Sequence, residues 1–132
     1  MDYNEPTLRG FETALYTGEL SGPGVGRGAA GSVAAGTWVQ FDVQVSAGDT
    51  AQPRIETACI ENARFRAYGC PHTIAAADWV CQRAAGRPAG AGLPESVESL
   101  QRRFEVPVPK MGRLLLIEDA WAAAVAELAS RR

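Results

Sequence analysis

The chain has 132 residues, 46% of them apolar and 21% charged, with a formal net charge of −2. That is enough apolar material for one core, and it describes a globular chain rather than a disordered one. The near-neutral balance offers no bulk attraction to nucleic acid or an anionic membrane, and no apolar run approaches the roughly 20 residues of a membrane span.

The polar, acidic start lacks the basic and apolar regions of a signal peptide. The three cysteines, Cys59, Cys70 and Cys81, are an odd number and form no disulfide framework. The expectation is a single domain over residues 1–132, in the cytoplasm.

Pro6 to Tyr16 reads as a short helix, with Leu8, Phe11 and Leu15 at helical spacing. Gly18 to Ser32 holds six of the fourteen glycines and is predicted to be a loop. It leads into a strand and has no Gly-Lys-Ser/Thr ending, so it reads as a connector rather than a phosphate cradle. Trp38 to Val45 alternates, with Val39, Phe41, Val43 and Val45 on one face, and is predicted to be a half-buried strand. Ser46 to Pro53 is a turn. Arg54 to Tyr68 is a second strand with a bulge or break near Glu61–Asn62. In this strand Ile55, Thr57 and Cys59 share a face, which makes Cys59 a small core residue.

His72 to Ala85 is helical, with Ile74, Ala76, Ala77, Val80, Cys81, Ala84 and Ala85 in one apolar arc. Trp79 falls outside the arc, either as a partner surface or packed against the N-terminal loop. Gly86 to Pro94 is a loop, and Pro94 to Phe104 a short helix. The segment V-P-V-P-K, Val106 to Lys110, is expected to be extended because of its prolines. Arg113 to Arg131 is a helix with Leu114, Ile117, Trp121, Ala124, Val125 and Leu128 inward. The order implies an α+β fold, a small antiparallel sheet of about three strands with helices packed on one face.

The chemistry concentrates in Y-G-C-P-H-T, Tyr68 to Thr73. Cys70 sits at a helix start, where free N–H groups and the helix dipole stabilise a thiolate. His72 could reach the same point, making Cys70 and His72 a candidate metal pair. Metal sites take three or four ligands, and His72 is the chain's one histidine. From this pattern alone a structural role stands ahead of a metal site. The aspartates Asp42, Asp49, Asp78 and Asp119 lie on different elements, and there is no serine–histidine–acid arrangement, so the expectation is a protein that is not an enzyme.

Ile60 to Asp78, I-E-N-A-R-F-R-A-Y-G-C-P-H-T-I-A-A-A-D, resembles the central segment of the U-type iron–sulfur cluster assembly scaffold family (IscU-like, NifU N-terminal). Gly31 to Val45 is similar to that family's strand entry. Val106-Pro107-Val108-Pro109-Lys110 is similar to its L-P-P-V-K motif, and Leu116 to Ala120 to its closing helix. The resemblance spans residues 30 to 130. It implies an IscU-like fold, an iron–sulfur cluster or a single metal ion as cofactor, and Cys70 as the cofactor-binding cysteine. It also implies a cysteine desulfurase and an Hsp70-type chaperone as partners, the latter docking on 106–110. The sequence leaves open whether any cofactor is bound and whether the chain forms a homo-oligomer.

The family's ligands are three cysteines, an aspartate and a histidine. By the same resemblance only Cys70 remains. The first cysteine falls at Ala35, the aspartate at Thr37, and the histidine–cysteine pair at Gly112–Arg113. A [2Fe–2S] cluster takes four donors, mostly thiolates. Three functions therefore stay in view: a cluster assembly scaffold-like protein with a degenerate site, a paralogue acting as a protein-interaction module, and a single-thiol persulfide acceptor through Cys70.

Overall fold

The computed structural model describes residues 3–46 and 58–130. Strands β1 (Val25–Ser32), β2 (Thr37–Val45) and β3 (Ile60–Tyr68) form an antiparallel sheet in the order β1-β2-β3. The alternation in β2 points Val39, Phe41, Val43 and Val45 into the core, all buried. Phe41 pairs directly with Phe65 of β3, so these two rings share the inward face. Fully burying a side chain such as Phe41 contributes about 1.5–3 kcal/mol relative to exposure.

Two helices cover that face. Helix α2 (Pro71–Ala84) packs on β3, and helix α4 (Met111–Ser130) packs on β1 and β2. Trp121 of α4 meets Phe41 edge to face, ring centres 5.2 Å apart. The stripe predicted for α4 is buried at Leu114, Ile117, Trp121, Ala124 and Leu128, with Val125 half-buried. Helix α1 (Glu5–Glu12) lies on α2, and α3 (Val97–Phe104) buries Val97, Leu100 and Phe104 against α2 and α4. Ser96 caps α3 by accepting a hydrogen bond from the Ser99 N–H at 3.1 Å. The α+β class, the three-stranded sheet and the helical face are as predicted.

The opposite face of the sheet is polar and closed by the N-terminal segment. That segment first pairs with the free edge of β3, where Tyr16 and Gly18 exchange backbone hydrogen bonds with Phe65 at 2.9 Å each. Asp42 is buried there and accepts from Arg27 Nε at 2.8 Å, Arg27 Nη2 at 2.9 Å and the Leu20 N–H at 2.8 Å. This bidentate pair faces across the β1–β2 register, because Arg27 pairs with Asp42.

Several expectations are corrected. The second half of the predicted loop, Val25–Ser32, is strand β1. Its small residues carry no strand pattern of their own. They are held by pairing with β2, and they let α4 approach. A Cβ at Gly28 would lie 2.2 Å from the Ala124 nitrogen, and one at Gly26 would lie 2.3 Å from the Ala124 oxygen. Only glycine leaves room for that backbone.

Cys59 is exposed rather than a core residue. The predicted bulge is present: Gln44 pairs with Asn62 while Val45 pairs with Ile60, so Glu61 is the extra residue. It reverses the parity upstream, turning Ala58 and Ile60 inward and Cys59 outward. Helix α1 ends at Glu12, and Leu8, Phe11 and Leu15 are exposed; its buried contacts are Thr7 and the approach of Gly10 to Ala75. Within the stretch expected to be extended, Pro107 is extended, but Val108–Lys110 forms one turn of 3-10 helix, closed by Lys110 N–H donating to the Pro107 carbonyl at 2.8 Å. Proline tolerates a first helical turn, so the pair stiffens this turn instead of straightening it. In α2, Ile74 is half-buried and Ala85 lies exposed beyond the helix end. The predicted turn from Ser46 to Pro53 and the strand residues 54–57, Ile55 and Thr57 included, lie outside the described residues apart from Ser46.

Candidate functional site

Strand pairing builds the site. Trp38 pairs with Tyr68, so the start of β2 at Thr37 and the Gly69–Cys70 corner after β3 lie at one end of the sheet. Cys70 is extended (φ −80°, ψ 168°) and occupies the N-cap of α2, with Pro71 at the first helical position. Its carbonyl accepts from the Thr73 N–H at 3.0 Å and the Ile74 N–H at 3.2 Å, and its Sγ lies 3.6 Å from Thr73 Oγ1.

Burial by itself would push the Cys70 thiol up. Hydrogen bonds from Thr73 and from the His72 backbone, with the Arg113 cation nearby, outweigh it and hold the thiol below its ordinary value. Cys81 is the opposite case. Burial in the core, with Asp78 adding to it, pushes that thiol well up, as befits an inert core residue.

His72 turns away from solvent, 3% exposed, with its ring 4.7 Å from that of Tyr3 in an edge-on contact. Its Nδ1 is buried and makes no hydrogen bond among the described residues. Burial, then Lys110 and Arg113, hold its pKa below the usual histidine value, so the ring is neutral.

Ala35, Thr37, Gly112 and Arg113, the positions where the resemblance puts the family's other ligands, line one cavity with Ser32 and Lys110; its volume is about 560 Å³. The β1–β2 turn supplies one wall and the first turn of α4 the other. Sequence reading did not single out Thr73 or Ser32, and it assigned Lys110 only to a docking segment. Thr73 was findable as the hydroxyl three residues after the helix cap, and Lys110 as the cation beside Gly112–Arg113. Ser32 carries no such signal, because its strand went unseen.

The V-P-V-P-K segment is split. Val106 is buried, Lys110 is half-buried toward the cavity, and Pro107, Val108 and Pro109 are exposed. Trp79, expected outside the apolar arc, is half-buried under α3 and lines a second cavity of about 480 Å³ with α1 residues and Asp78.

The model of the family described as NifU-like N terminal domain matches residues 2–132. The chain belongs to the NifU-like N-terminal domain family. Among curated relatives it is similar to the iron–sulfur cluster assembly scaffold protein IscU of Escherichia coli K12, 27% identical over 134 residues that cover 100% of this chain and 98% of that one. The IscU of Azotobacter vinelandii is 29% identical over 129 residues, covering 95% and 92%. Among solved structures, a NifU-like N-terminal protein from Brucella abortus superposes with a TM-score of 0.68 at 16% identity, covering 98% of this chain and 95% of that one.

Within this NifU-like domain the donor set is short of what a cluster needs. Among the described residues, no group of three or more His, Cys, Asp or Glu is placed to hold a metal ion. Cys70 offers a thiolate but is not among the residues lining the cavity, where Ala35 and Gly112 offer no side-chain donor and Arg113 brings a positive charge. His72 is packed beneath Tyr3. A four-donor, thiolate-rich cluster does not fit these residues.

Proposed function

We propose that this NifU-like domain works in cytoplasmic iron–sulfur cluster assembly as a scaffold-family protein that contributes one reactive thiol, Cys70, rather than a complete set of cluster ligands. The observation that carries this reading is Cys70 at the α2 N-cap, held by Thr73 and within reach of the Arg113 charge, while the family's other ligand positions lack thiolate donors. The relatives named above, called cluster assembly scaffolds, supply the pathway.

A single thiolate suits sulfur acceptance. The Cys70 thiolate attacks the terminal sulfur of a persulfide on a donor protein. A new S–S bond forms on Cys70, the donor's S–S bond breaks, and the donor leaves as a thiolate. Oxidation state is conserved and no outside oxidant is needed. The donor in this reading is a cysteine desulfurase. The exposed Pro107, Val108 and Pro109 are the surface offered to an Hsp70-type chaperone. The chain itself carries sulfur and is not an enzyme.

The test is anaerobic incubation with a desulfurase, cysteine and ferrous iron, followed by bound iron, acid-labile sulfide and site-resolved mass spectrometry. Persulfide on Cys70 without stoichiometric iron, lost in Cys70→Ala, is the expected result. Stoichiometric iron and sulfide on the chain would overturn the one-thiol reading. Neither persulfide nor iron, with desulfurase binding retained, would leave an interaction module.

A further inference from the structure

The cavity lined by Lys110 and Arg113 suits negative charge, and it lies at the Cys70 end of the sheet without Cys70 among its lining residues. Arg113 stands in the first turn of α4, at the positive end of that helix's dipole, with no acid in the turn to offset it. Arg113 is half-buried, and its Nε is buried without a hydrogen bond among the described residues, so that N–H lacks an acceptor. Lys110 brings a second cation to the same cavity, and none of the lining residues is acidic. Ser32 Oγ accepts from the Ala35 N–H at 3.1 Å, which leaves its own O–H to donate, and Thr37 adds another hydroxyl. The N-terminus of α2, also without an acid in its first turn, lies at the same end of the sheet. Two cations and two hydroxyls thus line one cavity, at the end of the sheet where α2 and its N-cap thiol begin.

We infer that this cavity is a carboxylate-binding subsite, centred on Arg113, which favours small carboxylate-bearing reagents over neutral ones at Cys70. A planar guanidinium matches a carboxylate with paired hydrogen bonds, and the cavity is large enough for a small organic acid. The inference rests on reading Cys70 as the reactive thiol. It deepens that reading by naming the chemistry of the small molecules the site admits, such as low-molecular-weight thiols and persulfides bearing a carboxylate.

The test compares iodoacetate with iodoacetamide, which differ by a carboxylate against a neutral amide. Rates at Cys70 are read by site-resolved mass spectrometry in the intact chain, in Arg113→Gln and in Arg113→Lys, with unlabelled Cys81 reporting that each variant is folded. The iodoacetate-to-iodoacetamide ratio at Cys70 is expected to exceed that of exposed Cys59. Arg113→Gln is expected to lower it by about tenfold, the scale of one charge-assisted hydrogen bond, and Arg113→Lys to restore part of it. Acetate, at matched ionic strength with chloride, is expected to slow iodoacetate selectively. A ratio equal to that of Cys59, a ratio unchanged in Arg113→Gln, or no selective protection by acetate would overturn the subsite. The iodoacetamide rate alone reports on the reactive thiol, so the two readings fail separately.

Discussion

The guanidinium of Arg103 lies over the indole of Trp79, 3.5 Å from the ring centre. The indole Nε1 donates to Glu95 at 3.2 Å, and Glu95 accepts in turn from Ser99 Oγ at 2.6 Å. A residue with the sequence signature of a wet-side aromatic is therefore the clasp between α2 and α3. Arg103→Ala is expected to lower stability by about 1 kcal/mol. A double-mutant cycle with Trp79→Ala should give a coupling of about 0.5–1 kcal/mol from urea midpoints. Additive single effects would mean that the stacking contributes nothing.

Glycine substitutions separate close approach from backbone freedom. Gly28→Ala drives a methyl into the Ala124 nitrogen, with helix backbone that cannot step aside, and is expected to cost about 3 kcal/mol or more. Gly112→Ala meets nothing within 4 Å and lies in α4, so it should stabilise by about 0.5 kcal/mol. Chemical denaturation of the two variants should move the midpoint in opposite directions.

Stability should fall on mild acidification because of His72. Its folded pKa lies below the ordinary value, so between the two values the unfolded chain binds the proton and the native chain does not. The His72 contribution is full above about pH 6.5 and is lost as pH falls toward the folded value. Protonation would add a third positive charge beside Lys110 and Arg113. His72 is the sole histidine, so its NMR titration is unambiguous. A midpoint at or above the ordinary value would sink the claim, as would a His72→Gln variant with the same acid sensitivity.

The three thiols should react in an order that exposure alone does not give. At neutral pH, iodoacetamide is expected to label Cys70 faster than the more exposed Cys59, and to leave Cys81 untouched until the protein unfolds. Replacing Thr73 by Val removes the hydroxyl 3.6 Å from Cys70 Sγ and should slow Cys70 alone. Equal slowing at Cys59 would point to a general structural effect.

What the sequence made legible follows physical locality. The β2 alternation, the α2 and α4 stripes and the Glu61 bulge are written in neighbouring residues, and each was readable. Strand β1 was not, because V-G-R-G-A-A-G-S has no strand pattern; its conformation comes from β2 on one side and from α4 lying against its glycines. The face of Cys59 was misread because the effect of a bulge on upstream parity depends on which residue is extra. At the site, Cys70 was evident from its place before a helix. The cationic character of the cavity was not, since Lys110 and Arg113 meet Ser32 and Thr37 only through the fold.

The glycine contacts between β1 and α4 also decide which parts of the thiol's surroundings can adjust. With helix backbone seated on Gly26 and Gly28, the strand and the helix are locked in register. The Ser32–Thr37 side and the Gly112–Arg113 side of the cavity extend from that locked pair. The Cys70 corner follows β3, and the proline-stiffened turn carrying Lys110 precedes α4, so both lie outside those glycine contacts. The sulfur at the start of α2 and the Arg113 charge at the start of α4 thus stand on separate elements, and only the second extends from the helix seated on those glycines.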